Sequence, residues 1–196
     1  PDRGYTVVTV CTWDREALFS HITGSLSAAG FNILSAEIMT RSDGMVLDTF
    51  FVTDTQTGLL ARRDEKEAFE KLLDKILLGG EVDLKSAIAK RKRSSTMYKS
   101  LEGEKIATVV TFDNETSETQ TVIDVESEDS IGLLYTISEV LTELGLNVSL
   151  AKIVTEKGAA IDSFYVTDIH GNKVTDPDYL KQIERKLRKA IDRLGK

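Results

Sequence analysis

A duplication constrains this chain more than any other feature. Thr6 to Asp54 and Thr121 to Asp168 align with a single one-residue gap. Asp14 matches Asp129, Leu18 matches Leu133, Gly30 matches Gly145 and Asn32 matches Asn147. Ala36 matches Ala151, Ile38 matches Ile153 and Thr40 matches Thr155. After the gap, Asp48 matches Asp162, Phe50 matches Phe164, Val52 matches Val166 and Asp54 matches Asp168. A unit repeated this faithfully must fold the same way twice, so the search for a fold reduces to one short pattern.

The pattern is readable in the first copy. Tyr5 to Thr12 is rich in Val and Thr and predicts a strand. Asp14 is placed to cap a helix whose apolar residues, Leu18, Ile22, Leu26 and Ala29, recur at helical spacing. Gly30 is expected to end it. Phe31 to Arg41 and Met45 to Thr53 read as a strand pair closed by Ser42-Asp43-Gly44. A second helix carries Phe69, Leu72, Leu73 and Ile76 on one face. The second copy has Leu134, Ile137, Leu141 and Leu144, then Leu180, Ile183, Leu187, Ile191 and Leu194. The first copy is expected to span residues 1–84 and to gain its fourth strand from 106–113. The second is expected to span 119–196 and to lack a visible last strand, leaving an edge for a neighbour to complete. The order is β-α-β-β-α-β: an α+β chain of two ferredoxin-like units in tandem, each an antiparallel sheet with helices on one face.

Between them, 85–105 reads as a basic linker with Lys90-Arg91-Lys92-Arg93 at its centre. A solvated connection is the expected role, with docking onto an acidic surface as the alternative. The net charge of −7, and the lack of aromatics beside the basic run, argue against nucleic acid. No apolar run is long enough to span a bilayer. One cysteine, Cys11, on a strand where a buried apolar role is expected, permits no intrachain disulfide and fits a reducing cytosol. No metal or cofactor is expected, because the two His and one Cys are too few and too scattered.

The run Asp129-Ser130-Ile131-Gly132-Leu133-Leu134-Tyr135, followed by Gly145-Leu146-Asn147, resembles the ACT-domain signature. Ala151 to Thr155 and Asp162 to Asp168 narrow the resemblance to the C-terminal tandem ACT region of the bifunctional uridylyltransferase/uridylyl-removing enzyme family. Val109 to Glu115 is similar to that family's bridge between copies. The resemblance covers nearly the whole chain. It implies allosteric sensing of an amino acid, glutamine being the nitrogen signal, and control of catalytic domains that act on the PII regulatory protein. It further implies a site where two ACT domains meet, either within the chain or in a homo-oligomer. The first copy departs from the family at Glu16-Ala17, where Pro-Gly is usual.

The residue chemistry suits such a ligand. A turn before a helix offers backbone N–H groups and the positive end of the dipole to a carboxylate. Glycine there permits close approach. An Asn side chain has donors and an acceptor for both ends of a zwitterion. The candidate ligand residues are therefore Asp129, Ile131, Gly132, Leu133 and Asn147, with Asn32, Asp14, Ala17 and Leu18 in the first copy. Each has a plainer role: Asp14 and Asp129 as helix caps, Asn32 and Asn147 as turn residues. Asp48 and Asp162 share a strand face with Phe50 and Phe164, where a structural hydrogen bond is favoured over ligand contact. Phe51 and Tyr165 point to the helix-free face. No catalysis is expected: Gly24-Ser25 lies within a predicted helix with no paired carboxylates downstream, and neither His21 nor His170 has an adjacent metal-binding partner. The alternatives are a free-standing tandem ACT regulator or adaptor, or an assembly scaffold without a ligand.

Overall fold

The helical and alternating patterns become the expected elements in a computed structural model, which describes residues 4–94, 106–156 and 158–194. The first unit comprises β1 (Thr6–Trp13), α1 (Leu18–Ala29), β2 (Phe31–Glu37), β3 (Met45–Asp54) and α2 (Arg63–Leu77). Then come α3 (Leu84–Ser94) and β4 (Val109–Asp113). The second unit comprises β5 (Thr121–Glu128), α4 (Leu133–Glu143), β6 (Asn147–Glu156), β7 (Ala159–Thr167) and α5 (Pro177–Leu194). Both sheets are antiparallel, ordered β1-β3-β2 and β4-β5-β7-β6.

The repeat persists down to its irregularities. A register shift lies between Ile33 and Ser35, and its equivalent between Val148 and Leu150. Ile22, Leu26, Phe50 and Val52 are each 0% exposed, as are their counterparts Ile137, Leu141, Phe164 and Val166. Burying an apolar side chain of this size contributes roughly 1.5–3 kcal/mol, so these eight residues anchor two similar cores. The cores are continuous with each other.

The structure corrects three expectations. The strand at 109–113 joins the second sheet, beside β5, and not the first. The second unit is thereby completed from upstream, and the first has three strands among the described residues. The basic linker opens as a helix: α3 buries Leu84 and Ile88 against Ala28 of α1 and Ile131 and Tyr135 of the second unit. Residues 95–105 lie outside the described residues. Finally, neither Asp14 nor Asp129 caps its helix. The helices begin later, with Ala17 and Gly132 in left-handed conformation at the N-cap positions.

The two units meet through equivalent elements. The edge strands β2 and β6 lie alongside each other, and α1 packs on α4. Thr23 and Ser138, equivalent positions of the repeat, share a buried hydroxyl hydrogen bond of 3.1 Å. Contact between like positions is the mark of an approximate two-fold axis. Gly24 lets the helices approach, since a Cβ there would meet Tyr135 Cδ2 at 2.7 Å and Leu84 Cδ1 at 2.8 Å.

Candidate functional site

Where β2 runs beside β6, the pseudo-symmetric pairing brings the start of one unit's second strand against the other unit's strand–helix loop. Gly30 closes α1 at φ 105° and turns the chain into β2, which sets Asn32 at the junction. Opposite it, Asp129, Ser130, Ile131, Gly132 and Leu133 connect β5 to α4. Ser27, Thr155 and Asp162 complete the polar lining of a narrow cleft with about 20 Å³ of open room. The walls are close, leaving open room for about one water.

The loop is tightly specified. Asp129 N–H donates to the Gly158 carbonyl at 2.9 Å, and Leu133 N–H to the Ser130 carbonyl at 3.0 Å. Gly132 sits at φ 83°, a conformation that a Cβ would strain. Behind the loop, Ile88 of α3 lies close enough that a Cβ on Gly132 would meet its Cγ2 at 2.8 Å. The loop is thus held between the cleft on one side and α3 on the other.

Electrostatics divide the cleft in two. The α4 N-terminus, at Gly132 to Leu134, presents the positive end of its dipole. Two carboxyls, Asp129 and Asp162, line the same cleft. Asp162 is 1% exposed, and its Oδ1 has no hydrogen-bond partner among the described residues. Burial pushes its pKa up to about 8, with the charge of Asp129 adding to the rise and a hydrogen bond from the Val154 N–H opposing it. Asp48, its counterpart, is raised to about 7 by burial, with Asp14 adding and a 3.3 Å hydrogen bond from the Met39 N–H opposing.

Asn32, Asp129, Ile131, Gly132 and Leu133 converge on this cleft. The other candidates do not. Asn147 is exposed and donates through Nδ2 to the Asp168 carbonyl at 3.3 Å. Ala17 lines a different cleft, with His21, Asp83, Tyr135 and Glu139. Asp14 is exposed, its N–H donating to the Gly44 carbonyl at 2.8 Å, and Leu18 is buried in the core. Sequence reasoning set Asp162 aside as structural, yet it lines the cleft with an unmatched oxygen. The signal was present: an acid on the apolar face of a strand, in both copies, has no place in an ordinary core.

A family model described as the ACR family N-terminal ACT domain matches residues 116–192. The second unit is an ACT domain. Relatives extend the likeness over the rest of the chain. The bifunctional uridylyltransferase/uridylyl-removing enzyme of Azospirillum brasilense is 38% identical over 96% of this chain and 20% of its own length. The enzymes of that name from Gluconobacter oxydans (strain 621H) and Rhodospirillum rubrum are each 35% identical, over 95% and 97% of this chain. This ACT-containing chain spans about a fifth of the length of these relatives. A solved aspartate kinase from Synechocystis covers 96% of the chain, with 27% of its own, at TM-score 0.48 and 13% identity, too loose a likeness to carry an argument.

Proposed function

We propose that this chain is the amino-acid-sensing regulatory module of a uridylyltransferase/uridylyl-removing enzyme acting on PII, with glutamine as its ligand. The observation that carries the reading is the cleft between the units, built from Asn32 on one side and Asp129 to Leu133 on the other. A free amino acid needs a positive surface for its carboxylate and a negative one for its ammonium. The α4 N-terminus and the Asp129 carboxylate supply both within one small space, the neutral Asp162 carboxyl adds an acceptor oxygen, and Asn32 can donate and accept. The small room inside means that a ligand enters by displacing the 129–133 loop or parting the units. Ile88 rests on the back of that loop, so the displacement reaches α3. A ligand that binds the parted arrangement better shifts the balance between arrangements, and attached catalytic domains can respond to that shift.

Calorimetric titration with glutamine, with glutamate and serine as controls, tests this reading. Selective glutamine binding that is lost in Asn32→Ala and retained in Asn147→Ala supports it. No binding of any amino acid at millimolar concentration in the full-length enzyme refutes it. The closeness of the cleft walls favours the second reading, an assembly scaffold without a ligand. In that case neither substitution changes any binding signal, and both units remain paired.

A further inference from the structure

Strands β1 and β5 are the same strand of the repeat, yet their outer edges differ. Beside β5 lies β4, antiparallel to it, with Val110 opposite Val125 and Phe112 opposite Ile123. Val110 and Phe112 join the core, and Thr108 just before them donates through Oγ1 to Asp192 of α5 at 2.8 Å. Beside β1, no strand is found among the described residues. The consequence is visible residue by residue. Val7 is 51% exposed where Val122 is 4%. Thr121 and Ile123 are fully buried, whereas their counterparts Thr6 and Val8 are half-buried. Cys11, expected to be buried, is exposed on this strand. An eight-residue edge with a row of backbone donors and acceptors is a ready template for another strand.

We propose that the β1 edge takes a fourth strand, in the place β4 takes beside β5, from the polypeptide immediately preceding Pro1. This rests on the reading of the chain as part of a longer enzyme. β4 reaches β5 through residues 114–120, a short connection, and the repeat sets its equivalent just upstream of the first unit. The strand is an extended segment with apolar residues at alternate positions, covering Val8 and Val10 as Phe112 and Val110 cover Ile123 and Val125. A strand tethered this close has a high effective concentration and outcompetes a second copy pairing through its own β1.

Amide hydrogen exchange in the full-length enzyme and in the 196-residue chain tests the proposal. The amides of Thr6–Trp13 that face away from β3 are expected to exchange about 100-fold more slowly in the full-length enzyme, approaching their equivalents in Thr121–Glu128, which should match in both. A chain extended upstream by about fifteen residues, room for one strand and one turn, should recover that protection. Equally fast β1 exchange in the full-length enzyme overturns the proposal. So does protection in the 196-residue chain that grows with concentration, which would assign the edge to a second copy. The mass of the native polypeptide separately decides whether a longer enzyme exists, so failure of that reading is distinguishable from failure of the strand.

Discussion

The two units share a core and differ at their loops and edges. In the second unit, Gly132 occupies the left-handed position before α4, β4 closes the sheet edge, and the loop lines the cleft with Asn32. In the first, Ala17 occupies the same position at φ 60°, the only non-glycine residue with positive φ among the described residues. Its loop faces a different cleft. The difference teaches that duplication preserves what packing demands and leaves exposed loops and sheet edges free to diverge. Buried Ile, Leu, Phe and Val recur position by position, because a change of even one methylene is felt in a close-packed core. The exposed Asp14 to Glu16 run carries no such constraint.

The largest test of this contrast is Gly132→Val. It imposes a β-branched side chain on a left-handed backbone and drives it into Ile88, and should cost about 2–4 kcal/mol in denaturant unfolding. Ala17→Val, its mirror in the first unit, replaces a residue that already bears a Cβ and should cost less; an equal loss in both would break the comparison.

The buried acids give the next effect. Asp162 and Asp48 bind a proton in the folded state up to pH about 8 and about 7, far above the ordinary carboxylate range. Between that range and those values the folded chain holds more protons than the unfolded one. Stability therefore falls as pH rises from about 4 towards 8, by up to ~1.4 kcal/mol per pH unit for each group. Asp162→Asn should flatten the upper part of this decline, and Asp48→Asn should flatten it only below pH about 7. Thermal melts across pH measure both. A pH-independent wild type would remove the basis for treating Asp162 as neutral.

Ala17→Gly should stabilise the chain by about 0.5–1 kcal/mol, relief of left-handed strain outweighing the added freedom of the unfolded chain. If it does not, the Ala17 conformation carries no strain and the two loops are energetically alike. The smallest effect lies on the axis itself. A double-mutant cycle of Thr23→Val and Ser138→Ala should yield a coupling of about 0.5–1.5 kcal/mol from their hydrogen bond. Zero coupling would mean that the units do not pair as described.

Most of each unit was legible. The helical stripe Leu18, Ile22, Leu26 and Ala29 and the alternation through Phe50 and Val52 are local signals, and the structure buries those residues as read. Half of the cleft was legible too, as Asn32 and the Asp129–Leu133 loop, because Asn and Gly announce unusual backbone and polar chemistry. Asn147 lies away from this cleft although the repeat makes it equivalent to Asn32, because its surroundings differ. That Asp162 lines the cleft with an unmatched oxygen was not legible, because the cleft is closed by Ser27 and Asn32 of the other unit.

The amino-acid sequence alone determined the repeat, the order and type of its elements, and which residues form each core, since these follow from side-chain periodicity along the chain. Tertiary structure alone decided that Val109–Asp113 pairs with β5, that α3 bridges the units through Leu84 and Ile88, and that like elements meet about an approximate two-fold axis. Strand pairing and helix docking are choices among surfaces distant in sequence. A strand's pattern states that it must bury one face, but not which edge it will join.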